Sequence, residues 1–188
     1  MDETVLAAIA RWPNVPAVFG WLSLTARGQW RIRGEPIANA AIREFIGRNY
    51  GGDDRGRWYF QNGPQRVYVT LELAPWVYRL QADVGLRSFT GVAPTRLLAA
   101  ALVDGGTLVL QTELGAGNID DRDVERFLPV LVDAGGRRLD ETAIERALAG
   151  ERPMFVDAAR CGMEPALVPV RPVARTALEA TFGFVAMP

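Results

Sequence analysis

The sequence predicts an α+β protein, with mostly antiparallel sheets and packed helices, and three observations carry that prediction. Two runs of β-branched and aromatic residues flank Asn62-Gly63 within residues 56–73, the pattern of a β-hairpin whose turn needs a residue tolerant of positive φ. Ile37, Ala40, Ala41, Phe45 and Ile46 form one apolar stripe at helical spacing, with Arg43, Glu44 and Arg48 outside it. The order strand, helix, hairpin then recurs in the second half. The expectation is one compact unit over residues 1–188, with repeated motifs at 19–82 and 128–175.

Taken in order, Val5, Leu6 and Ile9 lie at helical spacing behind Asp2 as a cap, and Pro13 stops that helix. Residues 20–34 read as two short strands around Arg27-Gly28. Gly34 permits a sharp joint, and Pro36 suits a first helical position because it has no N–H to leave unsatisfied. Residues 49–54 read as a polar, Gly-rich loop, and the central hairpin follows with Pro64 restraining the entry to its return strand. Residues 76–82 extend that hairpin as a third strand, and 86–90 make a short fourth.

Residues 95–103 and 107–113 flank Gly105-Gly106 as another hairpin, although the Leu/Ala-rich first half also fits a helix turn. Residues 118–132 read as a helix with Asp120, Asp121 and Asp123 in its first turn, where the helix dipole favours negative charge, and Pro129 kinks or ends it. Asp140 caps a helix through Leu148, strands follow at 153–156 and 166–170, and a short helix closes residues 175–183. Residues 42–46 (IREFI) and 144–148 (IERAL) make the internal parallel visible.

Composition excludes more than it suggests. The 21 basic residues, all Arg, nearly balance the 22 acidic ones, for a net charge of -1, and there is no His. Without His or Lys there is no Ser-His or Cys-His pair, no imidazole metal site, no P-loop and no Schiff base. The absence of Lys also reads as a high-GC coding bias. Near-neutral charge without a basic run argues against nucleic acid as a partner. Cys161 is the only cysteine, so no intramolecular disulfide forms, and no apolar run reaches the length of a signal peptide or membrane span. The expectation is a cytoplasmic protein with no metal, no cofactor and no membrane association.

Gly28-Gln29-Trp30, Gly34-Glu35-Pro36-Ile37, a helix, and then Asp54-Arg55-Gly56 before the aromatic strand 57–60 follow a G-x-W, G-x-P-I, D-x-G series. In this the chain resembles the bacterial domain of unknown function family 1285, most clearly over its first half. The turn at 63–67 departs from that family's pattern, which places the chain as a relative or sister family. The resemblance implies an α+β fold with repeated motifs and a part in signal transduction or regulation, and supplies no catalytic residues.

Strand alternation sorts the central hairpin into an apolar set (Trp58, Phe60, Val67, Val69, Leu71, Leu73) and an opposite set of Arg57, Tyr59, Arg66, Tyr68, Thr70 and Glu72, with Arg79 joining from the third strand. Arg beside Tyr, with an acid nearby, makes a recognition surface, since guanidinium groups grip anions and stack on aromatic rings. The candidate ligand-binding residues are therefore Arg57, Tyr59, Arg66, Tyr68, Glu72 and Arg79. The plain alternative is a solvated or helix-covered sheet face.

Other features carry less. Asp120, Asp121, Asp123 and Glu125 lack the spacing of a calcium loop, and Ser23 and Ser88 have no base. Gly115-Ala116-Gly117 lacks the Rossmann order, Cys161 reads as a packed residue, and the five Trp residues read as core and hairpin anchors. Three functions remain in view. The first is a noncatalytic regulatory or ligand-binding protein for a small anionic ligand. The second is an enzyme using Glu72, Tyr68 and arginines on a phosphorylated or carboxylated substrate. The third is a protein-interaction module, with a homodimer among its forms.

Overall fold

A computed structural model describes residues 1–81, 85–104 and 106–188. The protein is α+β, with two sheets that each mix parallel and antiparallel strands. The sequence suggested one unit over residues 1–188; the chain packs as two, Met1–Pro75 with Gly183–Pro188, and Trp76–Phe182.

In the first unit, helix α1 (Glu3–Arg11) precedes strands β1 (Val18–Leu24), β2 (Trp30–Ile32) and β3 (Glu35–Pro36), helix α2 (Ala40–Arg48), and strands β4 (Tyr50–Gly52), β5 (Trp58–Asn62) and β6 (Gln65–Leu71). The sheet order is β3-β2-β1-β6-β5-β4, with β1 and β6 parallel and the other neighbours antiparallel. The expected hairpin is β5–β6, and Asn62 pairs with Gln65. Its two turn residues are therefore Gly63, at φ +56°, and Pro64, so the positive φ falls on Gly63 and not on Asn62. Gly at the first central position is what a II′-like turn requires.

Three local expectations are corrected here. Pro36 does not start α2: Arg33 and Gly34 both have positive φ, and they fold Glu35–Pro36 back as the edge strand β3, where a missing N–H costs no ladder bond. The helix starts four residues later, with Asn39 Oδ1 accepting from the Ile42 amide at 3.2 Å. Asp2 precedes α1 but does not cap it through its side chain, because its carboxylate accepts from Asn49 Nδ2 at 3.2 Å and pairs with Arg48. The 49–54 loop contains strand β4, paired to β5.

In the second unit, β7 (Trp76–Gln81) and β8 (Gly85–Ser88) lead to β9 (Leu97–Val103), β10 (Thr107–Thr112) and β11 (Gly115–Ile119). Short helices, including α3 (Val124–Phe127), then β12 (Leu131–Val132), α4 (Glu141–Leu148), β13 (Phe155–Asp157), β14 (Leu167–Val173) and α5 (Leu178–Phe182) complete it. The sheet order is β12-β13-β14-β9-β10-β11-β7-β8. Strand β7 pairs with β8 and β11 and does not extend the central hairpin; Ala82 lies outside the described residues. The Leu/Ala-rich segment is strand β9, paired with β10, while Gly105 in its turn lies outside the described residues.

The helix expected over 118–132 is not formed. Residues 115–119 are drawn into the sheet as β11, parallel to β7, and only short helical turns follow Asp120. Asp140 caps α4 as expected, its Oδ1 accepting from the Ala143 amide at 2.7 Å. The stretches read as repeats share the order turn, helix, strand pair, but pair differently. In the first, β1 runs parallel to the second hairpin strand, whereas in the second β12 runs antiparallel to the first strand of its pair.

Candidate functional site

One five-residue turn design recurs at 25–29, 53–57, 88–92 and 133–137. In each, the first residue's N–H donates to the fifth residue's carbonyl, and the fourth residue, a glycine at φ between +74° and +88°, donates its N–H to the first residue's carbonyl. The first residue's side-chain oxygen accepts the fifth residue's N–H: Thr25 from Gln29 at 3.0 Å, Asp53 from Arg57 at 3.0 Å, Ser88 from Val92 at 3.1 Å, Asp133 from Arg137 at 3.0 Å. A Ser, Thr or Asp three residues before a Gly is the sequence signal that would have found them. Ser88 is thereby a turn residue rather than a nucleophile.

The turn at 53–57 organises two of the expected site residues, Arg57 and Tyr68. Arg57 Nε and Nη2 donate to Asp53 Oδ2 at 2.9 and 2.7 Å, Arg57 Nη2 also donates to Tyr68 Oη at 2.9 Å, and Tyr68 Oη donates to Asp53 Oδ2 at 3.1 Å. Burial pushes the Asp53 carboxyl up, but the Arg57 guanidinium, the Arg57 and Arg55 amides and the Tyr68 hydroxyl outweigh it and bring its pKa to about 2. Asp53 is thus a fixed anion, not an acid–base group. Asp54, the first residue of the D-x-G series, is exposed, and it is Asp53 before it that holds these contacts.

The expected open face is substantially closed. Tyr68 is 4% exposed, because Phe19, thrown onto this face by an irregularity in β1, stacks on its ring at 4.6 Å and the Arg57 guanidinium lies over it at 4.5 Å. Tyr59 is also buried, touching Tyr68 edge-on at 5.9 Å, and Arg66 lies over the Tyr59 ring at 4.6 Å. Arg66 itself is exposed and has no carboxylate partner among the described residues. Glu72, past the end of β6, accepts the Ala26 amide at 3.0 Å and so serves the 25–29 turn. Arg79 does not join this face, since it belongs to the second unit's sheet, where it pairs with Asp123 at 3.0 Å and Asp120 at 3.7 Å.

The opposite face of the first sheet carries a feature the sequence reading missed. Between α2 and the strands lies a groove of about 520 Å³, lined by Trp21, Ile32, Ile42, Phe45, Phe60 and Val67 among others. Trp21, Ile32 and Ile42 are 50%, 44% and 46% exposed, well short of core burial. The Arg33 guanidinium stacks on Trp21 at 3.9 Å and has no carboxylate partner among the described residues. Its walls come from β1, β2, α2, β5 and β6, so no single sequence window displays it.

The acidic run at 120–125 is an ion-pair cluster. Asp120 caps the turn that follows it and pairs with Arg122 and Arg79, while Asp123 pairs with Arg79 and Arg126. Gly115-Ala116-Gly117 is strand, and a Cβ on Gly117 would clash with the Tyr78 ring. Tyr78 Oη in turn hydrogen-bonds Thr112 Oγ1 at 2.7 Å and donates to Gly115 O at 3.1 Å. Cys161 is buried, and desolvation with Asp157 nearby pushes its thiol up to about 12. Trp30, Trp58 and Trp76 are packed, whereas Trp12 and Trp21 are half exposed.

These features define an α+β protein with a carboxylate-locked turn network on one face of its first sheet and an apolar groove on the other. The chain belongs to the family described as "Protein of unknown function (DUF2946)", whose model matches residues 1–188. It is similar to the crystal structure of a DUF1285 family protein from Silicibacter pomeroyi DSS-3, with 16% identity and a TM-score of 0.46 over 70% of this chain and 86% of that one. A DUF1285 family protein from Shewanella baltica OS155 is similar at 18% identity and a TM-score of 0.44, over 57% of this chain and 89% of that one. Both carry the name of the family that the motifs between Gly28 and Phe60 resemble. No curated protein matches. Among the described residues, no helix is long and apolar enough to cross a membrane.

Proposed function

We propose that the protein is a noncatalytic ligand-binding protein with a regulatory role in the bacterial cytoplasm, and that it binds a small amphipathic anion in the groove between α2 and the first sheet. The observation that carries this reading is the groove itself, concave and predominantly apolar with half-exposed aromatic and aliphatic walls. Such sites take a ligand's apolar body and fix it with few polar groups. Arg33, stacked on Trp21 at 3.9 Å, supplies the matching cation, so an aliphatic or aromatic carboxylate is the fitting class. The lone cysteine, buried with its thiol pushed up, suits a reducing compartment.

A thermal-shift series with decanoate and phenylacetate, set against decanol and phenylethanol, tests the reading. Carboxylates should stabilise the wild type. Trp21→Ala should lose both series, and Arg33→Gln should lose the preference for the charged members. A wild type indifferent to every member, or an Arg33→Gln protein that still prefers the acids, overturns it.

A second reading places an anion on Arg66, favoured by its exposed guanidinium over the Tyr59 ring at 4.6 Å. Nucleotides and phosphorylated metabolites should then stabilise the wild type and not Arg66→Ala; equal stabilisation of both proteins removes this site. The noncatalytic reading leans on the commitments of the acids here, with Asp53 held as an anion and Glu72 engaged by the Ala26 amide.

A further inference from the structure

The second unit holds a cavity of about 500 Å³ over β9, β10 and β14, walled on one side by Thr181 and Phe182 at the end of α5. Strand register sets its floor: Ala99 is paired with Gln111 across β9–β10, and Ala101 with Arg171 across β9–β14. Paired positions project to the same side of a sheet. The two alanines therefore make a flat strip with a carboxamide on one flank and a guanidinium on the other.

Two observations give this cavity a polarity. Gln111 Oε1 is buried and has no hydrogen-bond donor among the described residues. Buried amide oxygens are nearly always paired, so this one is short of a donor, and rotation of the terminal amide offers both its oxygen and its NH2 to the cavity. Arg171 is exposed at the rim and, unlike Arg79, Arg122 and Arg160 of the same unit, has no carboxylate partner among the described residues.

We propose that this cavity binds a planar heterocycle that has a lactam edge and carries a carboxylate or phosphate. The ring lies on Ala99, with the buried Ala101 behind it, beside Phe182. Its N–H and C=O pair side by side with the Gln111 carboxamide, whose donor and acceptor have the complementary spacing. The anion meets the Arg171 fork, whose planar N–H pairs match carboxylate and phosphate oxygens alike. Gln111 and Arg171 stand on strands either side of β9 and two residues apart in register, about 12 Å apart at the backbone, and the long arginine side chain shortens the span to that of a pyrimidine acid or mononucleotide. This site is separate from the groove proposed above and does not depend on it.

Titration calorimetry of the full chain with orotate and uridine 5′-monophosphate tests the assignment, with uridine and ribose 5-phosphate as the ring-only and anion-only controls. Orotate or uridine 5′-monophosphate should bind the wild type, and whichever binds identifies carboxylate or phosphate as the anion. Each control should bind about tenfold or more weakly, and Arg171→Gln should lose a similar factor. Gln111→Leu should raise the melting temperature of the free protein, because an unpaired buried oxygen is removed, and abolish stabilisation by the ligand. Arg171→Gln alters an exposed side chain and keeps the fold, so the test survives if Gln111→Leu fails to fold. Absence of binding by both anions at millimolar concentration, or unchanged affinity in Arg171→Gln, overturns the proposal.

Discussion

Asp53 and Asp133 occupy the same position in two turns of one design, each accepting the amide of the arginine four residues on at 3.0 Å and pairing with that arginine's guanidinium. They differ in surroundings. The Asp53 side chain is 5% exposed and shares its oxygen with Tyr68, whereas Asp133 is 16% exposed and its partner Arg137 is 85% exposed. Similar local geometry therefore carries unequal energy, because water screens the second pair more than the first.

Asp53→Asn should destabilise the protein by about 1–2 kcal/mol at pH 7, after allowance for screening. The folded pKa, about 2, lies below the ordinary 3.8, so this contribution is fully present above pH 3.8 and is lost as pH falls from there towards 2. Urea unfolding of both proteins between pH 2 and 7 checks it, and the gap between them should close at the acid end. Asp133→Asn should give a smaller loss at every pH.

Tyr68→Phe removes the hydroxyl that bridges Arg57 and Asp53 while keeping the ring under Phe19. A loss of about 1–2 kcal/mol in chemical denaturation is expected. Arg66→Ala, at an exposed position on the adjoining ring, should stay within about 0.5 kcal/mol of wild type. Equal losses would mean that Arg66 shares the buried network.

Gly117→Ala should cost about 1–3 kcal/mol, since the added methyl group meets the buried Tyr78 ring and the Trp76 Cβ. Tyr78→Phe in the same background should not restore stability, because the clash is with ring carbons. Thermal unfolding of the single and double variants reads this directly.

Arg79→Ala leaves Asp123, 2% exposed, with Arg126 at 3.5 Å as its one ion-pair partner among the described residues, and should cost about 1–3 kcal/mol. Arg79→Lys should recover part of that loss. Had Arg79 belonged to a ligand face, its removal would alter binding and leave stability unchanged.

What the sequence disclosed was what short windows determine. The β5–β6 hairpin follows from Gly63, the start of α4 from Asp140, and the β9–β10 pair from turn glycines flanked by apolar runs. Residues 115–119 were illegible because their strand exists through parallel pairing with β7, and Gly117 is needed there by a ring nearly forty positions away in sequence. Arg57 and Tyr68 were found by strand alternation, but Asp53 was not, because its role comes from a turn and not from the period of a strand. The burial of Tyr68 depends on Phe19 and on the irregularity that turns it over the sheet, which alternation does not foresee.

Residues 183–188 belong to the first unit. The Val185 amide donates to Gly56 O at 2.9 Å, the Leu71 amide donates to Ala186 O at 2.8 Å, and Phe184 is buried. The second unit is therefore an insertion into the first, and the order of synthesis runs against the order of the units. On the ribosome, residues 76–182 emerge as a whole while the turn at Gly56 and the end of β6 still wait for their last partner. A nascent chain stalled after Phe182 would thus hold a finished second unit and a first unit still open to protease, so completion of the first unit follows that of the second.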